Sequence, residues 1–448
     1  MKKMNKWDFK KIAFVASGGG FKALGWHIGV AMALKEYGFA VIPGVEGRKD
    51  EYKSIDHVVG SSGGSIFAAI IANALNERDV QRLDQKSLLS YFLPFRDDKN
   101  LHVTDFSYLD VFLPNFPDLT DIIKFSKNFL SLPKIFQKYG PGFGIEAIMR
   151  EILQFKGLFS LEKLEKFLSK ALPINDFAAL YQKNRVELNI VATEVNNPRK
   201  AIFGWKKSTW INSAEDNFYR DRYLNNATIS QAVAASSSIV PIYKPTVIDG
   251  IPYVDGEIKQ ALSVHIAVDQ GADLIFVSHT FKPYIQNGSM GELSDILSLI
   301  MQELYTSIYQ KIQTPKIFHQ QKKRVYDLIR SDKFRKKYNL EPKKHKEMVQ
   351  EICDTMLFDP NRKYIFISSP NELFFMDHFN LLSYANREIM SSGYYTTRQV
   401  MDMHGFARLE RFKAKGILED QELTSFRFPN TAYERYKQRR KRMIPLVE

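Results

Sequence analysis

The chain contains 448 residues, of which 44% are apolar, and a single cysteine. This apolar fraction is enough for one large hydrophobic core or two ordinary ones, and it excludes an intrinsically disordered chain. The lone Cys353 excludes an intrachain disulfide framework and a cysteine-based zinc cluster, and it favours a reducing compartment.

The net charge of +13 is concentrated in two segments. Residues 316–346 contain twelve Lys and Arg against three Asp and Glu, and residues 427–442 contain seven against one. The remainder of the chain is close to neutral. Two local basic patches favour an anionic partner, either nucleic acid or the phosphate face of a membrane, although a solvated surface explains such runs equally well.

The N-terminus begins like a secretion signal but does not continue like one. Residues 1–11 are basic, yet the apolar run 12–16 ends at three glycines and is too short for the hydrophobic region of a signal peptide. Residues 58–76 and 223–243 carry no charge, but small polar residues and glycines interrupt both. We therefore predict no cleavable signal peptide and no transmembrane helix, hence a cytoplasmic protein, with export by a leaderless route left open.

Strand and helix patterns alternate from the start of the chain. The apolar run 11–17 predicts a strand, the three following glycines a tight turn, and 21–37 a helix. The same strand, turn and helix pattern recurs at 55–59, 60–64 and 65–75. Further apolar runs predict strands at 186–193, 252–255, 274–278 and 364–368. This order predicts a three-layer α/β/α fold with a largely parallel central sheet and helical insertions.

Two insertions and a tail interrupt this pattern. The first, at about 85–160, is rich in aromatic residues, with 12 of them in 88–145. It predicts either a helical cap with its own small core or a lid that contacts a membrane. The second, 316–360, is basic, and residues 406–448 are predicted to form a basic C-terminal tail.

The turn after the second strand carries a candidate nucleophile. Gly60-Ser61-Ser62-Gly63-Gly64 matches the pattern G-x-S-x-G, in which a strained strand-to-helix turn exposes the serine hydroxyl. The glycines on both sides, Gly60 and Gly64, allow the neighbouring elements to approach closely. Ser62 is therefore the predicted nucleophile, and a simple glycine-rich turn is the alternative.

The first glycine turn provides candidate anion-binding amides. Gly18, Gly19 and Gly20 precede a helix, where free N–H groups bind either a phosphate or the oxyanion of an acyl transfer. A mononucleotide loop requires Ser or Thr after the lysine, but Ala23 follows Lys22. A dinucleotide fingerprint is available only loosely. The better interpretation is an oxyanion hole to which Lys22 adds positive charge.

A serine nucleophile also needs a base. His265 and His279 would complete the usual order of serine, acid and histidine, but neither lies in a distinctive motif. Asp255 is the more specific candidate, because it ends an apolar strand and is followed by Gly256.

Together these motifs resemble the patatin-like phospholipases, serine lipid acyl hydrolases that use a Ser and Asp dyad without histidine. Gly18 to Lys22 resembles the oxyanion motif of the family, Gly60 to Gly64 its nucleophile elbow, and Asp255-Gly256 its Asp-Gly motif. The resemblance extends to stretches at 192–194, 235–236, 271–273, 374–380 and 392–394. It implies a catalytic domain over residues 8–405 that contains both insertions, with Ser62 and Asp255 as the dyad.

Two positions depart from the family pattern. Glu257 stands where a small residue often follows the Asp-Gly pair, and it places a second carboxylate beside the predicted base. Ser17 stands where an acidic residue commonly precedes the glycines. Both departures concern the tuning of the site, since neither position supplies the dyad.

The resemblance implies an enzyme that cleaves fatty acyl esters of membrane phospholipids, with no cofactor and no metal. The basic segments predict peripheral contact with an anionic membrane. Two alternatives remain open: an esterase or acyltransferase that acts on soluble esters, and an effector whose basic insertion and tail bind an activating protein or a membrane. The family that the chain resembles includes bacterial members that need a host factor. Nucleic acid is not an expected partner.

Overall fold

The computed structural model describes most of the predicted catalytic domain. The described residues are 9–42, 48–49, 52–73, 126–127, 130, 159–206, 221–240, 242–259, 261–281, 283, 296–369, 386–414 and 416. The predicted aromatic-rich insertion at about 85–160 lies almost entirely outside them. The stretch 374–380 and the predicted tail after residue 416 also lie outside the described residues.

Nine strands of the described chain form one sheet. Its main path runs in the order β12-β11-β1-β5-β6-β10-β9, and β7 and β8 continue it from β6. These strands are β1 Ile12–Ala16, β5 His57–Ser61, β6 Glu187–Glu194, β7 Lys200–Phe203, β8 Arg222–Leu224, β9 Thr246–Ile248, β10 Ile251–Asp255, β11 Leu274–His279 and β12 Lys363–Ser368. A small second sheet contains β2 Phe39–Ala40, β3 Arg48–Lys49 and β4 Tyr52–Ser54.

The centre of the large sheet is parallel. β12, β11, β1, β5 and β6 pair in parallel, and every residue of β1, β5, β6 and β11 is buried. Continuous apolar runs form such strands because helices cover both faces of a parallel sheet. β10 is antiparallel to both of its neighbours, β6 and β9. The predicted three-layer α/β/α fold with a largely parallel sheet is confirmed.

Helices flank the sheet. The described ones are α1 Gly20–Glu36, α2 Gly63–Asn73, α3 Glu162–Ala171, α4 Phe177–Asn184, α5 Ile229–Ser236, α6 Val264–Asp269, α7 Ile296–Ile329, α8 Asp332–Lys337, α9 Pro342–Thr355 and α10 Asn386–Met403. α1 packs along α10, and α2 packs on β5 and β6. The basic segment 316–360 thus forms the end of α7 together with α8 and α9. Across the described ranges, none of the helices has both the length and the apolarity that crossing a bilayer would require.

The strand before the predicted nucleophile is longer than the sequence pattern indicates. The sequence predicts a strand that ends at residue 59, whereas β5 continues to Ser61. The reason is pairing, because Gly60 and Ser61 lie opposite Ile190 and Val191 of β6. The helix that follows begins at Gly63 instead of residue 65. Strand and helix are therefore separated by Ser62 alone.

The core extends beyond residue 405. Phe406 is buried, and its ring packs edge-on against Phe39 with the centroids 5.6 Å apart. The N–H of Leu409 donates a 2.7 Å hydrogen bond to the carbonyl of Glu36 at the end of α1. Arg408 lies 3.8 Å from the buried Glu36 carboxylate. These contacts attach the segment after α10 to the catalytic domain.

Candidate active site

β6 brings the two predicted dyad residues together. Along one edge of this strand, Val191 lies opposite Ser61, the last residue of β5. The next residue, Ala192, lies opposite Asp255, the last residue of β10. β5 and β10 therefore pair with the same edge of β6, one after the other. Because β10 is antiparallel to β6, its last residue is the one that lies next to the end of β5. This register places Ser62, one residue beyond β5, beside Asp255.

Ser62 has the strained backbone expected of a nucleophile elbow. Its φ angle is +50°, a region that few non-glycine residues adopt. Its N–H donates a 2.8 Å hydrogen bond to the hydroxyl of Ser236, which in turn donates to the carbonyl of Val191 at 2.6 Å. The carbonyl of Ser62 accepts bonds from the N–H and the hydroxyl of Ser65, at 2.8 and 2.6 Å. These bonds fix the turn from both sides.

The glycines around Ser62 are required by close backbone contacts. A methyl group at Gly60 would lie 2.6 Å from the carbonyl oxygen of Gly64, and one at Gly64 would lie 2.3 Å from that of Ser17. Gly63 is tighter still, because a methyl group there would lie 1.9 Å from the carbonyl oxygen of Gly20. The elbow therefore packs directly on the first glycine turn.

Asp255 is buried, and the neighbouring hydroxyl of Ser62 favours the charged form of its carboxylate, which lowers its pKa. The carboxylate accepts a 2.9 Å bond from the N–H of Glu257, and the carbonyl of Asp255 accepts one from the Thr193 hydroxyl at 3.1 Å. Burial disfavours the charged form and raises the pKa of Asp255 to about 6, against the opposing effect of the Ser62 hydroxyl and the Glu257 N–H. At neutral pH this carboxylate is ionised, and it is a stronger base than an exposed one.

The two histidines considered as alternatives have other surroundings. The Nε2 atom of His265 lies 2.8 Å from the Asp221 carboxylate. His279 ends β11, which β1 separates from β5 in the sheet. The Ser62 hydroxyl instead acts on Asp255, whose charged form it favours.

The first glycine turn borders Ser62. A methyl group at Gly18 would lie 2.6 Å from Cβ and 3.2 Å from Oγ of Ser62. Gly19 has a φ of +130° and approaches the hydroxyl of Thr280, while Gly20 begins helix α1. Lys22 lies buried in the first turn of α1. The glycine turn that precedes this helix thus contacts the Ser62 side chain, where the oxyanion of an acyl transfer would form.

The family model of the patatin-like phospholipases matches residues 14–268, more than half of the chain. This protein belongs to the patatin-like phospholipase family. Membership implies a lipid acyl hydrolase. The glycine turn, the elbow and the Asp-Gly pair all lie within the matched range.

Solved structures similar to this patatin-like phospholipase include two bacterial proteins. VipD from Legionella pneumophila is 15% identical, with a TM-score of 0.31 over 89% of this chain and 67% of VipD. ExoU of the Pseudomonas aeruginosa type III secretion system, solved in complex with SpcU, is 14% identical, with a TM-score of 0.18 over 97% of this chain and 85% of that one. No curated protein matches the chain.

A second buried carboxyl group distinguishes this patatin-like site. Oε1 of Glu257 accepts a 2.9 Å hydrogen bond from the N–H of Gly18, while the N–H of Glu257 donates to Asp255. Burial, followed by repulsion from Asp255, raises the pKa of Glu257 to about 7, although the Gly18 bond and the nearby Lys200 oppose this effect. Glu257 therefore links the glycine turn to the strand end that carries Asp255.

Three further residues, to which the sequence pattern assigns no role, hydrogen-bond to the glycine turn or to the elbow. Thr280 donates from its hydroxyl to the carbonyl of Gly18 at 2.9 Å, and Ser236 fixes Ser62 as described above. His27 places Nε2 2.9 Å from the carbonyl of Ser17, with its other ring nitrogen 2.8 Å from the Ser278 hydroxyl. Ser236 lies in a stretch that resembles the family, whereas Thr280 and His27 have no sequence signal.

Proposed function

We propose that this protein hydrolyses ester-linked fatty acids of membrane glycerolipids through the dyad of Ser62 and Asp255. The observation that supports this proposal best is the strand register at β6, with Ser62 beside a buried carboxylate whose pKa is raised to about 6. The positive φ of Ser62 and its position between a strand and a helix agree with a nucleophile elbow.

In the proposed reaction Ser62 Oγ attacks the ester carbonyl carbon while its proton passes to Asp255. The carbonyl oxygen becomes an oxyanion, which the amides of Gly19 and Gly20 stabilise, with Lys22 adding positive charge, while the N–H of Gly18 stays bonded to Glu257. The ester C–O bond then breaks, Asp255 returns the proton to the departing alcohol, and an acyl-serine remains. Asp255 next takes a proton from water, the hydroxyl attacks the acyl carbon, and the fatty acid leaves as Ser62 regains its proton.

The lipid substrate and the membrane location rest on two arguments. Family membership implies a lipid acyl ester. The basic segments at 316–346 and 427–442 provide attraction to anionic bilayers, on the order of 1 kcal/mol for each Lys or Arg near the surface. We therefore propose an enzyme that acts peripherally on membranes, organised as a catalytic domain over 8–405 with its two insertions and a basic tail.

The test is lipid mass spectrometry of mixed liposomes treated with the full chain. Wild-type protein is expected to release fatty acid, and Ser62→Ala and Asp255→Asn are expected to lower the rate by roughly 10,000-fold or more. Matched controls are Ser61→Ala, the preceding buried serine, and Asp249→Asn, in the turn before β10; both should retain activity. If the purified chain is silent, the reaction is repeated with host-cell extract as a source of an activating protein.

Two results would contradict the proposal. Equal fatty-acid release by wild type and Ser62→Ala would refute the dyad. Cleavage of short-chain soluble esters without any release from liposomes would replace the lipid substrate with a soluble ester.

A further inference from the structure

Helix α7 changes its surroundings along its length. In its first half Tyr305, Ile308 and Ile312 are buried in the core of the catalytic domain. Farther along, His319 packs edge-on against Tyr364 of β12, and Tyr326 packs against Phe358. One face of α7 is thus attached to the domain over most of its described length.

The other face of α7 exposes large apolar side chains after Pro315. Ile317, Phe318, Val325 and Leu328 are between 41% and 62% exposed. With about 100° between successive residues of a helix, these four positions fall within an arc of roughly 100°. We call them the apolar stripe. The polar Gln321 lies on the same side of the helix, between Phe318 and Val325. Exposed apolar residues grouped on one side in this way are typical of an interaction surface, whereas single exposed apolar residues are ordinary.

Basic residues border the apolar stripe, and the acidic residue of this segment lies away from it. Lys322 is one helical turn after Phe318, and Arg324 is two turns after Ile317. Asp327 lies on the side of the helix opposite Phe318, where it pairs with Lys323 at 2.5 Å and with Arg330 at 3.1 Å. Residues 332–346, in α8, α9 and their connection, add further Lys and Arg.

The apolar stripe continues a face of α7 that begins at the active site. Lys311 lies seven residues before Phe318, hence on nearly the same face. Its ammonium group donates a hydrogen bond to the carbonyl of Ile258, three residues after Asp255. Phe318 is therefore about 10 Å farther along the helix than the residue that contacts the Asp-Gly loop.

We propose that the apolar stripe and its basic border dock on an anionic lipid bilayer and hold the active site beside the surface that contains its substrate. An exposed apolar stripe with Lys and Arg at its edge is the pattern of a helix that lies in the membrane interface. Binding to a nucleic acid backbone would use the same basic residues but would gain nothing from Ile317 and Leu328. The role in catalysis rests on the proposed function, whereas docking itself does not.

The test uses the full chain carrying Ser62→Ala, so that the vesicles stay intact. Co-sedimentation is measured with phosphatidylcholine vesicles and with mixed phosphatidylcholine and phosphatidylserine vesicles across a salt series. Phe318→Ser with Leu328→Ser is expected to lower partitioning to the anionic vesicles at least about tenfold. Lys322→Gln with Arg324→Gln is expected to lower it by roughly tenfold or more at low salt and less at high salt. Val247→Ser, an equally exposed apolar residue on β9, is the matched control and should bind like its parent.

Three outcomes would overturn the proposal. The first is unchanged partitioning of the Phe318→Ser, Leu328→Ser variant, and the second is equal, salt-independent binding to neutral and anionic vesicles. The third is a gel shift with nucleic acid that these variants abolish while their vesicle binding persists. Failure of the proposed function can be told apart from failure of docking, because the chain with Ser62 intact would then bind vesicles without hydrolysing their lipid. With that chain, the stripe variants should cleave a soluble short-chain ester at the parental rate and vesicle lipid more slowly.

Discussion

At the scale of single residues, the site depends on two buried carboxyl groups two positions apart. Asp255 and Glu257 are both removed from water, and burial is the main reason that each has a raised pKa. The values of about 6 and about 7 imply that Asp255 ionises first as the pH rises. Near neutral pH Asp255 is therefore mostly ionised and can accept a proton, while a fraction of the Glu257 carboxyl groups is still protonated.

Glu257 is expected to shape the pH dependence of catalysis. In the wild type, kcat/KM should rise through about pH 6 as Asp255 ionises, then fall above about pH 7 because ionised Glu257 opposes the developing oxyanion. Glu257→Gln keeps an acceptor for the Gly18 N–H without the charge, so the alkaline fall should disappear. Glu257→Ala leaves that N–H unpaired and should lower kcat/KM by roughly tenfold to a hundredfold. Identical pH profiles for wild type and Glu257→Gln would show that this carboxyl group has no electrostatic role.

The Asp255 carboxylate is expected to destabilise the fold at neutral pH. Its pKa rises from 3.8 to about 6 on folding, so ionisation favours the unfolded chain progressively as the pH rises through this interval. Above it the penalty is complete, at about 3 kcal/mol for a shift of about two units. The free energy of unfolding of Asp255→Asn, relative to wild type, should therefore increase by up to about 3 kcal/mol between pH 4 and pH 8. Urea denaturation at both pH values measures it, and a difference that does not change with pH would contradict the assignment.

At the scale of elements, the site is an arrangement of close backbone contacts around β6. β6 aligns the end of β5 with the end of β10, and the elbow packs on the glycine turn before α1. Gly63 is the tightest of these contacts on the elbow, and it faces the carbonyl of Gly20. Backbone atoms on both sides leave no flexible side chain that can move aside.

Gly63→Ala is expected to separate the elbow from the glycine turn. A methyl group 1.9 Å from a backbone oxygen forces the two elements apart, which costs about 1–3 kcal/mol of stability and displaces Ser62 from the amides. Gly204→Ala is the matched control, because its methyl group meets the side-chain amide of Asn189 at 2.4 Å. Thermal unfolding and esterase rates should both decline more in Gly63→Ala. Equal behaviour of the two variants would argue against the elbow contact.

At the scale of the whole molecule, residues after α10 complete the core. The buried Glu36 at the end of α1 lies 3.8 Å from Arg398 of α10 and 3.8 Å from Arg408 beyond it. The hydroxyl of Tyr394 also donates a hydrogen bond to this carboxylate. Charge compensation of the buried Glu36 therefore depends on two arginines that lie 362 and 372 residues from it in sequence.

Phe406→Ala is expected to test how far the catalytic domain extends. Loss of this buried ring should reduce the free energy of unfolding by about 3–5 kcal/mol. Met403→Ala, three residues earlier and 78% exposed, should change it by less than about 0.5 kcal/mol. Chemical denaturation measures both. Equal stabilities would place the domain boundary at residue 405, where the sequence alone predicts it.

The sequence by itself determined the layered fold and the order of its early elements, because buried parallel strands are continuous apolar runs and sharp turns require glycine. The family was indicated by resemblance, through the glycine turn, the elbow and the Asp-Gly pair. It also indicated Ser62, which lies in the turn after such a run, and Asp255, which ends one. Only the tertiary structure decided that the two residues meet, through the register of β6, and that Glu257 bonds to Gly18. Those facts depend on pairing between strands and on burial, and neither is a property of local sequence. The same holds for Thr280 and for the exposed stripe of α7, because contact and exposure are defined by what packs nearby.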